Sequence, residues 1–310
     1  MDKKRVIIAG AEGFIGTELS IGLKNAGYEI TALTDKAEEV PGADRTITSN
    51  GREKEEIVQQ LRPFGYNGFF CLAWRGTSGP ERGDCRVQTQ NITNACMYAD
   101  IAADAGCEKF IFASSISEYE SYECVVRGSS QPARGCIYGA AKLAAHMMTA
   151  SVAAERKMPF INVMFTNVYG EKRPTERLIS SSVEKLLDGR HCAFTKGEQT
   201  YDFIYITDAV GALIAVLRNG RPSEEYYIGS GHPAPLKEFL VQMKEEVAPG
   251  AVIGLGEIPF TGKGLDYGRF DIGKVKRDTG YENTVSFREG IRMTARYAKE
   301  RRNLDKSRKV

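Results

Sequence analysis

The sequence predicts an α/β fold, in which helices cover both faces of a doubly wound parallel sheet, with a smaller, mostly C-terminal lobe. Short β-rich runs alternate with longer helical stretches, these runs carry few polar residues, and a glycine-rich turn follows the first run. Strands covered by helices on both faces are expected to be apolar almost throughout. The 310 residues, 42% hydrophobic and 26% charged, suffice for two ordinary domains or one large domain with an added lobe.

The predicted elements alternate through the first half of the chain. The expected strands are Arg5–Ala9, Glu29–Leu33, Gly68–Leu72, Lys109–Ser114 and Phe160–Met164. The expected helices are Gly13–Ala26, Lys54–Leu61, Thr89–Ala105 and Tyr138–Arg156. A further strand, Phe203–Ile206, and a helix, Asp208–Arg218, are expected to return to the same layer.

Composition divides the second half of the chain. Residues from about 169 to 200, and again from about 226 onward, are richer in glycine, proline and charge, and prolines punctuate short elements there. We therefore expect a sheet domain of residues 1–166 and 203–222, a smaller lobe of residues 167–202 and 223–300, and a tail at 301–310.

Charge and hydropathy argue against several classes of protein. The longest apolar run, Phe69–Trp74, is far too short to cross a bilayer, so no membrane association is expected. The basic amino terminus is followed by only Val6–Ala9, which is shorter than a secretory signal needs, so we expect a cytoplasmic protein. A net charge of +2 gives no reason to expect a nucleic-acid partner.

Cysteine and histidine show no metal-binding pattern in the sequence. The seven cysteines include no Cys-x-x-Cys pair, so neither a disulfide framework nor a zinc ribbon is indicated. His146, His191 and His232 stand far apart, with no second ligand at helical spacing. We therefore predict that the protein has no metal site.

A glycine-rich turn joins the first predicted strand to the first predicted helix. Gly10 would permit the tight turn, Gly13 would let the backbone approach a pyrophosphate, and Gly16 would let helix and strand pack closely. The helix start then presents free N–H groups and its positive dipole end to the phosphates. This context predicts a Rossmann-type dinucleotide site, with a merely structural strand–helix turn as the alternative.

The end of the second predicted strand bears on the choice of dinucleotide. Asp35 lies about twenty positions beyond the glycines, where a carboxylate can bind the ribose hydroxyls and favour NAD. Thr34 could instead occupy the strand-end position, and Lys36 could meet the 2′-phosphate of NADP. We predict NAD as the cofactor and leave NADP open.

Tyr138 and Lys142 stand four residues apart, so a helix would place both on one face. The preceding strand delivers Ser114 and Ser115 to the carboxyl edge of the sheet, where open parallel sheets bind ligands. A tyrosine has a reference pKa of about 10, and lowering it by three units requires roughly 4 kcal/mol. One ammonium at about 4 Å supplies about that much at an effective dielectric near 20, before desolvation subtracts from it. The pattern predicts Tyr138 as the acid/base of a hydride transfer, assisted by Lys142 and Ser115.

Motifs along nearly the whole chain resemble those of the extended short-chain dehydrogenase/reductases, in particular the NAD-dependent epimerase/dehydratase branch that acts on nucleotide sugars. The matching motifs are Gly10-x-x-Gly13-x-x-Gly16, Leu72-Ala73, Asn91, Ser114-Ser115 with Tyr119, Tyr138-x-x-x-Lys142, Asn167-Val168-Tyr169-Gly170 and Asp202-Phe203-Ile204-Tyr205-Ile206-Thr207-Asp208. The resemblance also implies a homodimer, in which the helices predicted at Thr89–Ala105 and Tyr138–Arg156 pair across the axis.

The resemblance assigns residues to three roles. The implied catalytic residues are Ser115, Tyr138 and Lys142. The residues expected to bind the cofactor are Gly10, Gly13, Phe14, Ile15, Gly16, Asp35, Leu72, Ala73, Asn91, Tyr138, Lys142 and Thr166. The residues expected to contact the substrate are Ser114, Ser115, Asn167 and Tyr201. The sheet domain would then bind the dinucleotide, and the smaller lobe would bind a nucleotide sugar.

Departures from the family's pattern narrow the expected chemistry. Sugar dehydratases place an Asp-Glu pair directly after the catalytic hydroxyl, whereas this chain has Ile116 and Ser117 there and Glu118 one position late. Tyr201 and Met164 stand where the family often has arginines, one of which contacts the nucleotide diphosphate. Dehydration is therefore disfavoured, and the nucleotide on the substrate is left open.

We expect hydride transfer at C4 of a nucleotide-activated sugar, by a 4-epimerase or a 4-ketoreductase. One alternative is a reductase of a carbonyl compound that carries no nucleotide, which the tyrosine at position 201 makes credible. The other is a catalytically silent protein that senses a dinucleotide, since a fold alone does not determine function.

Overall fold

A computed structural model describes residues 3–35, 39–49, 52–62, 64–126, 136–172, 177–260 and 264–307. In this part of the chain, seven parallel strands form the main sheet. The strands are β1 (Arg5–Ala9), β2 (Glu29–Thr34), β3 (Arg45–Thr48), β4 (Gly68–Cys71), β5 (Phe110–Ser115), β6 (Phe160–Phe165) and β11 (Glu224–Ile228). Their order across the sheet is β11-β6-β5-β4-β1-β2-β3. Every pairing between neighbours is parallel, which confirms the predicted α/β fold class.

Helices connect these strands and continue into the C-terminal part of the chain. They are α1 (Phe14–Asn25), α2 (Lys54–Leu61), α3 (Cys85–Asp104), α4 (Ser117–Val126), α5 (Cys136–Glu155), α6 (Leu178–Leu187), α7 (Ile206–Asn219), α8 (Leu236–Val247), α9 (Lys274–Thr279) and α10 (Phe287–Ser307). Helix α3 begins four residues before the predicted Thr89, because Asp84 caps it. The Asp84 carboxylate accepts hydrogen bonds from the backbone N–H of Arg86 at 2.8 Å and of Val87 at 3.2 Å.

The position of β1 determines where this sheet can bind a ligand. Strands β2 and β3 extend the sheet from β1 toward one edge, whereas β4, β5 and β6 extend it toward the other. Such a reversal of strand order opens a crevice at the carboxyl ends of the strands, where sheets of this kind bind their ligands. Gly10 follows the end of β1, Leu72 follows β4, and Ser115 ends β5.

Aromatic side chains on neighbouring strands hold one face of the sheet together. Phe69 on β4 stacks on Phe110 of β5 with ring centroids 5.4 Å apart, and Phe110 stacks on Phe160 of β6 at 6.2 Å. Tyr98 of α3 lies over Phe69 at 6.0 Å. These contacts explain why the strand sequences lack the polar alternation of a half-exposed sheet.

Three two-stranded sheets lie outside the main sheet. They pair β7 (Asn167–Tyr169) with β10 (Phe203–Tyr205), β9 (Thr200–Tyr201) with β12 (Ala234–Pro235), and β8 (Cys192–Phe194) with β13 (Ile253–Leu255). The prediction that Phe203–Ile206 belongs to the main sheet is therefore wrong. Strand β11, from a region predicted to lie in the smaller lobe, occupies the sheet edge next to β6.

Aromatic packing accounts for the position of β10. The ring of Phe203 lies 5.0 Å from that of Phe239, 5.5 Å from that of Phe287 and 6.1 Å from that of Tyr169. These partners are distant in sequence, so a short apolar run at 203–206 could not by itself reveal which sheet it joins.

The chain divides into two compact units. One contains Met1–Phe165, Val210–Ile228 and Ile272–Glu282, and the other contains Thr166–Ala209, Gly229–Asp271 and Asn283–Val310. The first segment of the first unit ends with β6 at Phe165, one residue before the predicted boundary at 166. The same unit also contains β11 and α9, which were expected in the smaller lobe. Among the described residues, the structure contains no helix that is long and apolar enough to span a membrane.

Candidate active site

The three glycines of the turn at the end of β1 differ in what an added side chain would contact. Gly10 has a φ of +80°, and a Cβ there would lie 2.6 Å from the backbone nitrogen of Ala73. A Cβ at Gly16 would overlap the carbonyl oxygen of Gly10, so glycine lets α1 pack directly against the turn. At Gly13 a Cβ would approach only the Gly10 carbonyl oxygen, at 3.2 Å, within the part of the chain that the structure describes.

This turn has the form that a pyrophosphate requires. Helix α1 begins at Phe14, and Gly13 stands at its N-cap position. The first N–H groups of a helix have no partner within the helix, and the helix dipole places positive charge beside them. The space that the missing Gly13 side chain leaves open is therefore suited to an anionic group, as the sequence predicts for Gly10, Gly13, Phe14, Ile15 and Gly16.

The segment after β4 lies against this turn. Leu72 donates its backbone N–H to the carbonyl of Ala9 at 2.9 Å, and the backbone of Ala73 contacts Gly10. Asn91 of α3 holds the segment in place, because its side chain bonds both the N–H of Arg75, at 3.0 Å, and its carbonyl, at 2.8 Å. Asn91 thus positions a loop, and its predicted contact with the cofactor stays a prediction.

Trp74, which the sequence did not single out, connects this loop to α5. Its indole N–H donates to the side chain of Gln88 at 2.9 Å. Its ring lies 3.7 Å from the ammonium of Lys142 and meets the ring of Tyr138 edge-on, with centroids 6.1 Å apart. No motif marks a lone tryptophan, so the sequence carried no signal for this role.

Lys142 is buried, and its ammonium donates a hydrogen bond to the carbonyl of Ala113 at 2.7 Å. Burial lowers the pKa of Lys142 from 10.5 to about 7, although the nearby Cys71 and Glu118 side chains act in the opposite direction. The ammonium also lies over the face of Trp74, which stabilises the charged form. Burial and the contact with Trp74 therefore act in opposite directions on the charged form of Lys142.

Tyr138 is buried on α5, and a cation from outside that helix lies over its ring. The guanidinium of Arg82 lies 3.9 Å from the ring centroid. Arg82 also donates hydrogen bonds at 3.1 Å to the hydroxyl of Ser117 and to the carbonyl of Thr77. No sequence motif marks Arg82, which lies in the short 3-10 helix Pro80–Gly83, fifty-six positions before the tyrosine.

The two predicted serines lie at the end of β5. The hydroxyl of Ser115 accepts a hydrogen bond from the backbone N–H of Ser117 at 3.2 Å. The hydroxyl of Ser114 is buried, and it has no hydrogen-bond partner among the described residues. Helix α5 packs directly against the following turn, since a Cβ at Gly139 would overlap the carbonyl oxygen of Ser117. Ser115 therefore lies in the turn against which Tyr138's helix packs.

Asp35 follows β2 at the same edge of the sheet. Its carboxylate accepts a hydrogen bond at 2.9 Å from Ser49, and it is otherwise exposed. The alternative residue Thr34 is buried within β2, and Lys36 lies outside the described residues. Asp35 thus follows the strand with an exposed carboxylate, and its contact with the ribose stays a prediction.

The remaining predicted residues belong to the second compact unit. The Asn167 side chain donates to the carbonyl of Asp202 at 3.1 Å, and Tyr201 stacks on Phe203 with ring centroids 5.6 Å apart. The hydroxyl of Thr166 is buried without a hydrogen-bond partner among the described residues. The roles of Thr166, Asn167 and Tyr201 stay predictions.

His146 has neighbours that the spacing along its own helix does not show. No second ligand stands at helical spacing from it, but its ring nitrogen lies 3.1 Å from the carboxylate of Glu118, and Glu225 completes a group of three. The three residues lie on α4, α5 and β11, so no sequence spacing joins them.

The names of several relatives of this chain refer to nucleotide-linked sugars. Human dTDP-D-glucose 4,6-dehydratase is 30% identical over 161 residues, which cover 50% of this chain and 46% of that protein, so the match spans about half the length of the relative. The CDP-abequose synthase of Salmonella typhimurium is 26% identical over 260 residues, which cover 80% of this chain and 83% of the synthase.

Solved structures show the same fold. The UDP-glucose 4-epimerase of Thermotoga maritima, solved with UDP-glucose, superposes with a TM-score of 0.78 at 21% identity, over 96% of this chain and 99% of the epimerase. The model of the NAD dependent epimerase/dehydratase family matches residues 6–229, and its description names NAD, the cofactor that the sequence predicts. The chain therefore belongs to the NAD-dependent epimerase/dehydratase family.

Proposed function

We propose that this protein transfers a hydride at C4 of a nucleotide-activated sugar, as a 4-epimerase or a 4-ketoreductase. The observation that carries the proposal is a continuous series of contacts. It runs from Gly10 to the backbone of Ala73, and from the adjacent Trp74 to both Lys142 and Tyr138. The residues suited to hold a dinucleotide and the residues suited to move a proton are thus neighbours in space.

Each residue has a defined task in this proposal. The turn at Gly10, Gly13 and Gly16 would hold the pyrophosphate of NAD, and the bound nicotinamide would accept or return the hydride. Tyr138 would take the proton of the sugar hydroxyl as the C4–H bond breaks, and would give it back when a ketone is reduced. Lys142 would stabilise the phenolate by its charge, and Ser115 would hold the sugar oxygen.

The residues after the catalytic serine argue against water elimination. A dehydratase needs an acid and a base beside the hydroxyl, whereas Ile116 is buried and Ser117 is bonded to Arg82. Glu118, the carboxylate nearest in sequence, is bonded to His146. The match to dTDP-D-glucose 4,6-dehydratase therefore supports the substrate class better than it supports the reaction.

A phenylalanine at Tyr138 tests the proposal. We expect Tyr138→Phe to lower turnover about 10³-fold, because the proton then has no acceptor, while NAD binds as before. Tyr122→Phe, on the exposed part of α4, is the matched control and should keep full activity. Turnover should be followed with UDP-, dTDP- and CDP-linked hexoses and with a carbonyl compound that lacks a nucleotide.

Several outcomes would count against the proposal. Unchanged turnover in Tyr138→Phe would remove the tyrosine from catalysis. Activity on the nucleotide-free carbonyl alone would favour the alternative that Tyr201, in place of the usual arginine, suggests. Dinucleotide binding by a wild-type protein with no turnover on any of these compounds would favour a sensor.

The cofactor that remains bound after purification separates the two reactions. An epimerase returns the hydride to the same sugar and keeps its cofactor, whereas a reductase must release the oxidised form in every cycle. Denaturing the purified protein and measuring the dinucleotide released by mass spectrometry tests this. A stoichiometric amount of NAD supports an epimerase, and an empty protein that oxidises NADPH with a keto sugar supports a reductase.

We also propose a homodimer formed through α3 and α5. Met147 and Met148 on α5 are 63% and 50% exposed, which is unusual for large apolar side chains. Replacing both with lysine should convert the dimer to a monomer in sedimentation experiments. A wild-type protein that sediments as a monomer at micromolar concentration would contradict this proposal.

A further inference from the structure

Three ionisable side chains converge at the back of α5, one helical turn beyond Lys142. Glu118 comes from α4, His146 from α5 and Glu225 from the edge strand β11. One potential ligand atom from each lies within 4.8 Å of the other two, and the His146 ring nitrogen lies 3.1 Å from the Glu118 carboxylate. The catalytic proposal above uses none of the three.

Hydrogen bonds leave two buried oxygen atoms of this group unsatisfied. Glu118 is 2% exposed, and its Oε1 has no hydrogen-bond partner among the described residues. Asn162 is 1% exposed, and within the same described part of the chain its Oδ1 also lacks a partner. Leaving a buried polar atom without a partner costs about 1–3 kcal/mol, and more for a charged group. Both atoms therefore lack the partner that a bound cation or a buried water would provide.

The Asn162 amide lies inside the cluster. Its nitrogen is 2.8 Å from Oε2 of Glu225 and 3.3 Å from Nδ1 of His146. The same His146 nitrogen faces the Glu118 carboxylate, so it cannot both donate to Glu118 and accept from Asn162. Rotating the amide by half a turn would direct its oxygen at the cluster, where a cation at the centre would attract it.

We propose that Glu118, His146, Glu225 and the side-chain oxygen of Asn162 bind a divalent transition-metal ion. Zinc and its neighbours accept imidazole nitrogen together with carboxylate oxygen, at about 2.0–2.2 Å from each ligand. Ligands of a tetrahedral ion then lie about 3.3 Å apart, which is close to the distance between His146 and Glu118. Small rotations of the Glu225 side chain would complete the site.

Charge and access agree with this assignment. Two carboxylates and a neutral imidazole together carry the charge that one divalent ion neutralises. Burial raises the pKa of Glu118, although the hydrogen bond to His146 opposes this effect, so a proton competes with the ion for that carboxylate. His146 is 23% exposed and Glu225 is partly exposed, which gives the ion a route from solvent.

Bound metal would join three elements that meet near the active site. Helices α4 and α5 carry Ser117 and Lys142, and β11 is the strand whose position the sequence did not predict. A shared ion would fix both helices to this edge strand. The site would therefore be structural in character.

Zinc itself is the probe for the test. Protein freed of metal with a chelator should bind one Zn²⁺ per chain in isothermal titration calorimetry, and Co²⁺ should give the visible absorption of a low-symmetry site. His146→Gln and Glu225→Gln should each weaken binding at least tenfold. Glu225 is the second variant because its side chain is partly exposed, so we expect Glu225→Gln to fold even if His146→Gln does not.

His191→Gln provides the matched control. His191 also lies beside a carboxylate, 2.7 Å from Glu257, but this pair is on the surface. Removing it should leave the stoichiometric Zn²⁺ site and the Co²⁺ spectrum unchanged. Absence of stoichiometric binding in the wild type, loss of binding in His191→Gln, or full binding in Glu225→Gln would each overturn the proposal. All of these measurements are independent of sugar turnover.

Discussion

The guanidinium of Arg82, in the short 3-10 helix Pro80–Gly83 that precedes α3, lies 3.9 Å from the centre of the Tyr138 ring. A cation over an aromatic face is attracted by the ring, and the attraction grows when the ring acquires the negative charge of a phenolate. The ammonium of Lys142 lies over the ring of Trp74, which meets the Tyr138 ring edge-on. We therefore expect Arg82, as well as the predicted Lys142, to favour ionisation of this phenol.

Replacing Arg82 with glutamine should lower kcat/KM about 3- to 30-fold, because a cation–π contact contributes about 0.5–2 kcal/mol. The pH dependence of kcat/KM should also move toward higher pH, since the phenol then ionises less readily. Arg86→Gln, in the same segment with an exposed side chain, is the control for a general loss of positive charge. An unchanged pH profile in Arg82→Gln would show that the arginine merely packs against the ring.

Lys142→Met should make the protein more stable while removing activity. A lysine whose pKa is about 7 in the folded protein and 10.5 when unfolded costs stability as the pH falls between these values, because only the unfolded chain then binds the proton. The gain from methionine should be largest below about pH 7 and should shrink by roughly 2 kcal/mol at about pH 9. Urea unfolding at both pH values, without added cofactor, measures this difference. A variant less stable than wild type at the lower pH would contradict the proposed burial of the charge.

Two glycines of the turn should respond differently to alanine. Gly16→Ala should lower the free energy of unfolding by about 2–4 kcal/mol, because its Cβ would overlap the Gly10 carbonyl. Gly13→Ala should keep nearly full stability and weaken NAD binding at least tenfold, since its Cβ meets only one atom, at 3.2 Å, among those the structure describes. Gly65→Ala, at an open position, is the control for both measurements. Normal NAD binding by Gly13→Ala would indicate that the turn is only structural.

Asp35 should determine the preference between the two dinucleotides. Asp35→Ser should raise the affinity for NADP relative to NAD at least tenfold, because the carboxylate repels a 2′-phosphate and binds the ribose hydroxyls. Ser49→Ala should have a smaller effect in the same direction, since the Ser49 hydroxyl orients that carboxylate. Fluorescence titration with both reduced cofactors gives the ratio, with Glu53→Gln as the control for an exposed negative charge. If Asp35→Ser leaves the ratio of the two affinities unaltered, the residue at the end of β2 does not discriminate between NAD and NADP.

Much of the fold follows from local sequence. Buried strands without polar alternation, the glycine turn and the helical spacing of Tyr138 and Lys142 are properties of short segments, and each is found in the structure where the sequence places it. Helix α3 begins four residues before the predicted Thr89, because Asp84 caps it. The strand at 203–205 was misplaced because its partners, such as Phe239 and Phe287, are distant in sequence.

The sequence alone determined the parallel sheet, the glycine-rich turn and the helix that carries Tyr138 and Lys142 one turn apart, because regular elements impose their own periodicity on the residues that form them. Only the tertiary structure brought Trp74 and Arg82 to Tyr138, and brought Glu118 and Glu225 to His146. These contacts join loops, helices and an edge strand across gaps of many residues. Their distances depend on how the elements pack, and no spacing within one segment records that packing.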